Sequence, residues 1–281
     1  MTDNSTHLAG RVVLITGAAG GFGQLIATKA CFAGARVVCT DINTDALEAI
    51  TSDLNGGGHD ALAVTADVTQ LDDMHRAVAE TTDRFGQLDV IVNNAGIMPL
   101  AFMSDHARAA EAWHRCIDIN IKGVLNGMIA AYDPMIAQGY GHVVNISSIY
   151  GNFPVAGSIV YGATKAAVTT MSDAFRVESQ GKIKVTIVRP TGVPATGLAA
   201  TVVNDEASIG ILGQNAVEYM TTATKIMEGS PDPGVLDADD VRYAMLDAEH
   251  LADAVIYAMD QPWGVSIGDI TVRATGDRYI L

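Results

Sequence analysis

Short apolar runs alternate with longer stretches of helical periodicity along the whole chain, and this alternation limits the possible folds most strongly. Seven short runs rich in β-branched and other apolar residues predict strands at 11–16, 37–40, 61–66, 88–92, 142–146, 183–188 and 269–273. Between them, apolar spacing predicts helices at 22–34, 44–54, 70–85, 160–180 and 251–259, and either two helices or one kinked helix at 111–138. Strands that alternate with helices form parallel sheets with right-handed crossovers. We therefore expect an α/β fold, a doubly wound and mostly parallel sheet of about seven strands with helices on both faces.

Length and composition indicate one compact domain. A chain of 281 residues can fold as a single α/β domain, so we expect one domain over 1–281. The content of 49% hydrophobic and 17% charged residues is typical of a folded globular protein. Between about 196 and 237 the alternation breaks into a long, apolar and irregular segment, which we interpret as a substrate loop or lid.

The formal net charge of −15 excludes some partners. A strongly acidic chain repels polyanions, so we expect it to bind neither nucleic acid nor an anionic membrane surface. Cys31, Cys39 and Cys116 form no C-x-x-C pair and lie in apolar contexts, which favours buried free thiols and a reducing, cytoplasmic location. The start of the chain lacks the regions of a signal peptide, and the histidines show no metal-ligand spacing.

A glycine-rich turn, Thr16-Gly17-Ala18-Ala19-Gly20-Gly21-Phe22-Gly23, joins the first predicted strand to the first helix. Glycines in such a turn allow the backbone to approach a pyrophosphate, whose charge the helix N-terminus stabilises. Asp41 ends the second strand, where a carboxylate can accept hydrogen bonds from the adenosine ribose hydroxyls. That carboxylate would repel a 2′-phosphate, and neither Ile42 nor Gly20 supplies a compensating cation. The expected cofactor is therefore NAD.

Two further strand ends are candidates for cofactor contacts. Asp67 and Val68 follow the third strand, where an acidic oxygen could hold the adenine amino group, although Asp67 could equally begin the next helix. Asn94 and Gly96 belong to Asn93-Asn94-Ala95-Gly96, which closes the fourth strand. Ligands of open α/β sheets bind at the carboxyl ends of strands, although Asn and Gly also simply make turns.

Tyr161 and Lys165 are four residues apart in a predicted helix, with Ser148 at the end of the fifth strand. Residues at i and i+4 share a helix face, so the ammonium of Lys165 can lie beside the phenol of Tyr161 and favour its ionised form. A phenol whose pKa is pulled toward neutrality can exchange a proton with an alcohol or carbonyl oxygen. A Tyr-x-x-x-Lys pair alone is common, and its other interpretation is an exposed lysine next to a packed tyrosine.

Together these motifs resemble the short-chain dehydrogenase/reductase family. The pattern T-G-x-x-x-G-x-G, then N-N-A-G, then Ser148, Tyr161 and Lys165 runs in family order from about Arg11 to Arg273. The resemblance implies a Rossmann-type fold, Tyr161 as acid/base, Ser148 as the hydrogen-bond partner of the substrate oxygen, and Lys165 as activator of the phenol and ligand of the nicotinamide ribose. It also implies that Asn120 holds a water in a proton relay. The spacing selects Ser148 over Ser147, whose hydroxyl should point to the opposite side of the strand.

One motif departs from the family pattern. Where the family usually shows P-G-x-V-x-T after the sixth strand, this chain has Pro190-Thr191-Gly192-Val193-Pro194-Ala195-Thr196. If Gly192 and Thr196 are aligned with the motif, Pro194, which has no N–H, takes the place that would donate to the nicotinamide carboxamide. If Pro190 is aligned instead, Thr191 takes the place of the glycine and Thr196 is displaced. We assign Val193 and Thr196 to the cofactor. The C-terminal sequence also differs from the V-D-G-G ending of many family members.

The expected substrate is a neutral, lipophilic secondary alcohol or its ketone. The candidate pocket comprises Met98, Phe153, Val155 and the apolar segment beyond Thr196, although these side chains could equally pack against each other or a partner subunit. We expect a homodimer or homotetramer, as is common in the family. The alternatives are a sensor of the same fold that binds NAD without turnover, and a reductase of 3-oxoacyl thioesters, which the net acidity makes less attractive.

Overall fold

We describe the protein from a computed structural model, which covers residues 6–193 and 197–280. Two positions singled out in the sequence, Pro194 and Thr196, lie outside the described residues.

The strands form one parallel sheet. They are β1 (Val12–Thr16), β2 (Arg36–Asp41), β3 (Ala61–Thr65), β4 (Val90–Asn93), β5 (Gly141–Ile146), β6 (Ile183–Pro190) and β7 (Asp269–Val272). Their order is β3-β2-β1-β4-β5-β6-β7, and every neighbouring pair is parallel. The chain therefore crosses from one edge of the sheet back to its centre between β3 and β4. This reversal beside β1 is where an α/β sheet opens a crevice for a ligand.

Helices cover both faces of this sheet, as the alternation predicted. The helices are α1 (Gly21–Phe32), α2 (Thr44–Gly56), α3 (Leu71–Phe85), α4 (His106–Ile117), α5 (Val124–Gln138), α6 (Ile159–Glu178), α7 (Ala216–Met227) and α8 (Ala248–Met259). Successive residues of a strand point to opposite faces, so β1 contributes to two cores. Val13 and Ile15 pack with α1, α2 and α8, whereas Val12 and Leu14 pack with α3, α5 and α6.

The region predicted as two helices or one kinked helix is continuous. Between α4 and α5 the chain keeps winding through a π-helical segment, Asp118–Gly123. Turns of π-helix are rare in proteins, but those that occur are frequently found at functional sites. Here the π-helical segment contains Asn120. Helix α4 begins at His106, five residues before the predicted start at residue 111. The segment His106-Ala-Arg-Ala-Ala favours helix but does not extend the apolar periodicity on which the prediction was based.

The segment after β6 is more regular than its sequence suggests. It contains 3₁₀ turns at Gly197–Thr201 and Asp205–Asn215, and then α7. None of the α7 side chains is fully buried. In the part of the chain that the structure covers, no helix has both the length and the apolar character that crossing a bilayer requires.

Candidate active site

A cleft of about 650 Å³ opens at the carboxyl ends of β1, β2, β3 and β4. Ten of the residues assigned to the cofactor from the sequence line this cleft: Gly17, Gly21, Phe22, Gly23, Asp41, Ile42, Asp67, Val68, Asn94 and Gly96. They come from four separate strand ends, so the fold gathers them into one place. A cleft of this size is in the range of small-molecule and cofactor sites.

The glycine turn forms a cradle that side chains would fill. Gly17 has a φ of 66°, and a Cβ there would lie 2.9 Å from the Cα of Ala95. A Cβ on Gly23 would overlap the carbonyl oxygen of Gly17, whereas one on Gly20 would meet no protein atom within 4 Å. Gly17 and Gly23 are therefore required for the turn itself, and Gly20 leaves open space beside the N-terminus of α1. This arrangement fits the pyrophosphate of a dinucleotide.

Asp41 connects the end of β2 to the glycine turn. Its carboxylate accepts hydrogen bonds from the backbone N–H of Ala19 at 3.2 Å and of Asn43 at 3.0 Å. Because both bonds come from the backbone, the carboxylate is fixed at the wall of the cleft, where it can also accept from ribose hydroxyls. Ile42 beside it is 60% exposed.

Asn94 and Asp67 complete this wall from two other strand ends. The amide of Asn94 donates to the carbonyl oxygens of Thr16 at 2.9 Å and Gly17 at 3.2 Å, so it holds the glycine turn against β4. Asp67 accepts from the N–H of Thr69 at 2.9 Å, while α3 begins later, with Gln70 as its N-cap residue. Asp67 therefore does not cap α3, and its side chain lies in the cleft.

Ser148, Tyr161 and Lys165 meet at the end of β5. The Nζ of Lys165 lies 5.8 Å from the centre of the Tyr161 ring and donates to the carbonyl oxygen of Ile146 at 2.7 Å. The hydroxyl of Ser148 lies close enough to the phenol of Tyr161 to influence its pKa. All three side chains are buried, with Tyr161 only 3% exposed. Ser147 points instead toward α6, where its hydroxyl donates to the carbonyl oxygen of Lys165 at 2.9 Å.

Burial is the largest cause of the pKa shifts of Tyr161 and Lys165. It raises the pKa of the Tyr161 phenol well above its usual value, and the nearby hydroxyl of Ser148 acts in the opposite direction. Burial also lowers the pKa of Lys165 to about 8. The phenol is therefore neutral at physiological pH in this environment, in the form that donates a proton. The sequence predicted an ionised phenol because spacing alone does not reveal how completely Tyr161 is buried.

Asn120 connects the π-helical segment to the loop after β4. Its side chain accepts from the N–H of Ile97 at 3.0 Å and donates to the carbonyl oxygen of the same residue at 2.9 Å. It also donates to the hydroxyl of Thr164 at 3.1 Å, in the turn between Tyr161 and Lys165. A Cβ on Gly96 would lie 3.3 Å from the Oδ1 of Asn120 and 3.7 Å from the Nζ of Lys165. Glycine at this position therefore leaves the space between Lys165 and the cleft clear.

The residues proposed to bind the substrate are more dispersed than the cofactor residues that line the cleft. Met98 packs in the apolar cluster that contains Tyr161, and Val155 packs beside Ile149 in an adjacent cluster. Phe153 is 63% exposed and belongs to neither cluster. Val193, assigned to the cofactor, packs against the core on the α1 side of the sheet.

Several residues of the site had no distinctive sequence signal. Arg115, Asp118 and Ile119 line the cleft from the end of α4 and the π-helical segment, where they resemble ordinary helix positions.

The hydroxyl of Thr16 accepts from the N–H groups of Asn94 at 3.0 Å and Ala95 at 3.1 Å. Its place directly before Gly17 in the turn motif could have indicated this role. Within the described residues, no three His, Cys, Asp or Glu side chains come together as a metal-binding group.

The depressed pKa of Lys165 predicts a pH-dependent contribution to stability. The folded protein releases this proton near pH 8 and the unfolded chain only near pH 10.5, so the unfolded chain binds more protons in between. Stability from this group therefore rises with pH across that window. Relative to Lys165→Met, the wild type should gain roughly 2 kcal/mol of unfolding free energy between about pH 7.5 and about pH 9.5, as measured by urea denaturation. A pH-independent difference would show that the ammonium is not buried as described.

Fold and site together define a dinucleotide-binding oxidoreductase, since a cleft suited to a pyrophosphate lies beside a buried Ser, Tyr and Lys. The family description "short chain dehydrogenase" matches residues 11–207. Over 269 residues the chain is 32% identical to an uncharacterized oxidoreductase of Listeria monocytogenes, with coverage of 96% of this chain and 98% of that protein. The chain belongs to the short-chain dehydrogenase family.

Other relatives and structures agree with this assignment. The 2,5-dichloro-2,5-cyclohexadiene-1,4-diol dehydrogenase LinX of Sphingobium indicum is 35% identical over 191 residues, which are 67% of this chain and 75% of that enzyme. A metagenomic short-chain oxidoreductase in complex with NADP has a TM-score of 0.72 at 25% identity, covering 96% of this chain and 99% of that one. An alcohol dehydrogenase from the archaeon Thermococcus sibiricus, in complex with 5-hydroxy-NADP, shares the fold with a TM-score of 0.75 at 21% identity, covering 95% and 98%.

Proposed function

We propose that the protein is an NAD-dependent alcohol dehydrogenase or ketone reductase that interconverts a neutral, lipophilic secondary alcohol and its ketone. The observation that carries this proposal is the buried group of Ser148, Tyr161 and Lys165 next to a cleft of dinucleotide size. A sensor without turnover has no physical need for a buried phenol grouped with a serine and a lysine.

The preference for NAD rests on Asp41. Its carboxylate is held at the cleft wall by two backbone N–H groups, and a 2′-phosphate in that place would meet a fixed negative charge. The glycine turn Thr16–Gly23 contains no lysine or arginine to offset that charge. The two solved structures compared above contain NADP or 5-hydroxy-NADP. The proposed preference for NAD would therefore distinguish this chain from both of them.

The preference for a neutral substrate rests on what surrounds Tyr161. The cluster around its ring is apolar and aromatic, with Met98, Phe102, Tyr150 and Leu198 among its members. An uncharged, apolar substrate matches these neighbouring side chains. The dehydrogenase LinX of the same family takes a chlorinated cyclic diol by its name, which is consistent with an uncharged, apolar substrate.

In reduction, the neutral phenol of Tyr161 donates its proton to the carbonyl oxygen of the ketone, and in oxidation the phenolate form of Tyr161 takes up the hydroxyl proton of the alcohol. The hydroxyl of Ser148 orients that oxygen and stabilises the negative charge that develops on it. Lys165 holds its ammonium next to the Tyr161 ring and the cleft, and Asn120 fixes the loop after β4. When bound, the nicotinamide of NAD supplies or accepts the hydride.

The direct test is absorbance at the reduced-nicotinamide band with NAD or NADP and a panel of secondary alcohols, and with NADH and the corresponding ketones. We expect turnover with apolar alcohols and a preference for NAD. Tight NAD binding without turnover of any compound would favour the sensor. A preference for 3-oxoacyl thioesters over all simple ketones would favour the thioester reductase.

Assembly into a homodimer or homotetramer is part of the same proposal. The exposed apolar side chains Leu125, Ile129 and Tyr132 on α5 support it, because contact between copies would cover them.

A further inference from the structure

The two places where the sequence departs from the family pattern meet in the structure. One is the turn after β6, where Thr191 and Gly192 follow Pro190. The other is the C-terminal sequence, whose departure spans Asp269–Thr275 and continues into the end of the chain; we call residues 274–280 the tail. The phenol oxygen of Tyr279 lies against Gly192, so closely that a Cβ on Gly192 would overlap the hydroxyl and the ring. Gly192 is therefore a position where a side chain is excluded by the tail.

The tail is held in this place by hydrogen bonds from several elements. The N–H of Ile280 donates to the carbonyl oxygen of Ile211 at 3.1 Å, and Asn215 donates to the carbonyl oxygen of Arg278 at 3.0 Å. Arg273 donates to the carbonyl oxygen of Tyr279 at 2.9 Å. These contacts fix the backbone on both sides of Tyr279, so its ring is a firm support and not a freely moving terminus.

The ring of Tyr279 also reaches the substrate side of the site. It packs against the buried cluster of Ile149, Ile211 and Leu212, and Ile149 directly follows Ser148. Its centre lies 6.2 Å from that of Tyr219 in α7. Tyr279 therefore touches both the turn after β6 and the wall next to Ser148.

From this juxtaposition we infer that Tyr279 is a positioning residue for the nicotinamide end of the cofactor. The inference rests on the proposed function, and it takes the nicotinamide to lie between the turn after β6 and Tyr161, as the resemblance to the family implies. A turn followed by Pro194 has one backbone donor fewer with which to fix the carboxamide, because proline has no N–H. Tyr279 braces Gly192 from outside, and this contact holds the turn in the shape that the nicotinamide requires.

The test compares two ligands that share the adenosine diphosphate half and differ in the nicotinamide. NADH and ADP-ribose binding to the full chain are measured by calorimetry for the wild type, Tyr279→Ala and Tyr279→Phe. Tyr279→Ala should weaken NADH about tenfold while leaving ADP-ribose unchanged, and Tyr279→Phe should have a smaller effect in the same direction. Tyr257→Ala, which removes a 58% exposed tyrosine from α8, is the control and should change neither.

A second variant tests the contact itself. Gly192→Ala should also weaken NADH selectively, because its Cβ would overlap Tyr279. In the Tyr279→Ala background the added methyl group has room, so the double variant should bind NADH no more weakly than Tyr279→Ala alone. Equal losses for NADH and ADP-ribose, no loss for either, or additive effects of the two substitutions would overturn the inference. Failure of the proposed function is a separate result, since it would appear as absent turnover in the wild type while these binding ratios remain measurable.

Discussion

Tyr161→Phe should lower turnover by roughly a hundredfold to ten-thousandfold in both directions, the range that a positioned acid/base contributes. The substitution keeps the ring and its packing next to Tyr150, whose ring centre lies 5.5 Å away, and removes only the hydroxyl. NADH binding should stay within a few-fold of the wild type, because the cleft residues are untouched. Steady-state kinetics and calorimetry measure the two quantities.

Tyr132→Phe is the matched control. It removes a phenol hydroxyl from an exposed position on α5, away from the cleft, and should leave turnover unchanged. If Tyr161→Phe retained turnover comparable to the wild type, Tyr161 would not be the proton donor and the proposed mechanism would fail. If NADH binding were lost as well, the loss of activity would say nothing about the chemistry.

Asp41→Ser should lower the ratio of kcat/KM for NAD to that for NADP by about a hundredfold, because it removes an attraction for one cofactor and a repulsion for the other. The carboxylate accepts from the N–H of Ala19 in the glycine turn, so NAD binding should weaken at the same time. The measurement is the kinetics of each cofactor at a fixed alcohol concentration.

Asp45→Ser removes a carboxylate from the exposed first turn of α2, four residues further along the chain, and serves as the control. It should leave the cofactor ratio unchanged. A wild type that already prefers NADP, or an Asp41→Ser ratio equal to that of Asp45→Ser, would contradict the assignment of NAD to this chain.

Much of the fold could be predicted from the sequence because it depends on local periodicity. The seven strands and their parallel arrangement follow from apolar runs separated by helical stretches, and the strand ends Asp41, Asp67 and Asn94 then necessarily share one edge of the sheet. The prediction was less successful for helices without a buried face. The clearest example is α7, none of whose side chains is fully buried and which lies in the segment that we interpreted as irregular.

The features that could not be predicted depend on contacts between distant parts of the chain. The π-helical segment at Asn120 has no signature in its residue types, and the contact of Tyr279 with Gly192 joins two separate departures from the family pattern. The complete burial of Tyr161 is of the same kind. It reverses the expected direction of the phenol pKa, since desolvation by the surrounding elements outweighs the cation one helical turn away.

The packing over Tyr161 also bears on which event limits the speed of the enzyme. Leu198, Val202 and Ala207 pack in the cluster that contains the buried phenol, so we expect that a substrate displaces some of these side chains when it reaches the hydroxyl. We then expect each catalytic cycle to include a movement of these side chains before and after the chemical step. If proton and hydride transfer are fast, the turnover rate should depend more strongly on the viscosity of the solvent than on the pKa of the alcohol.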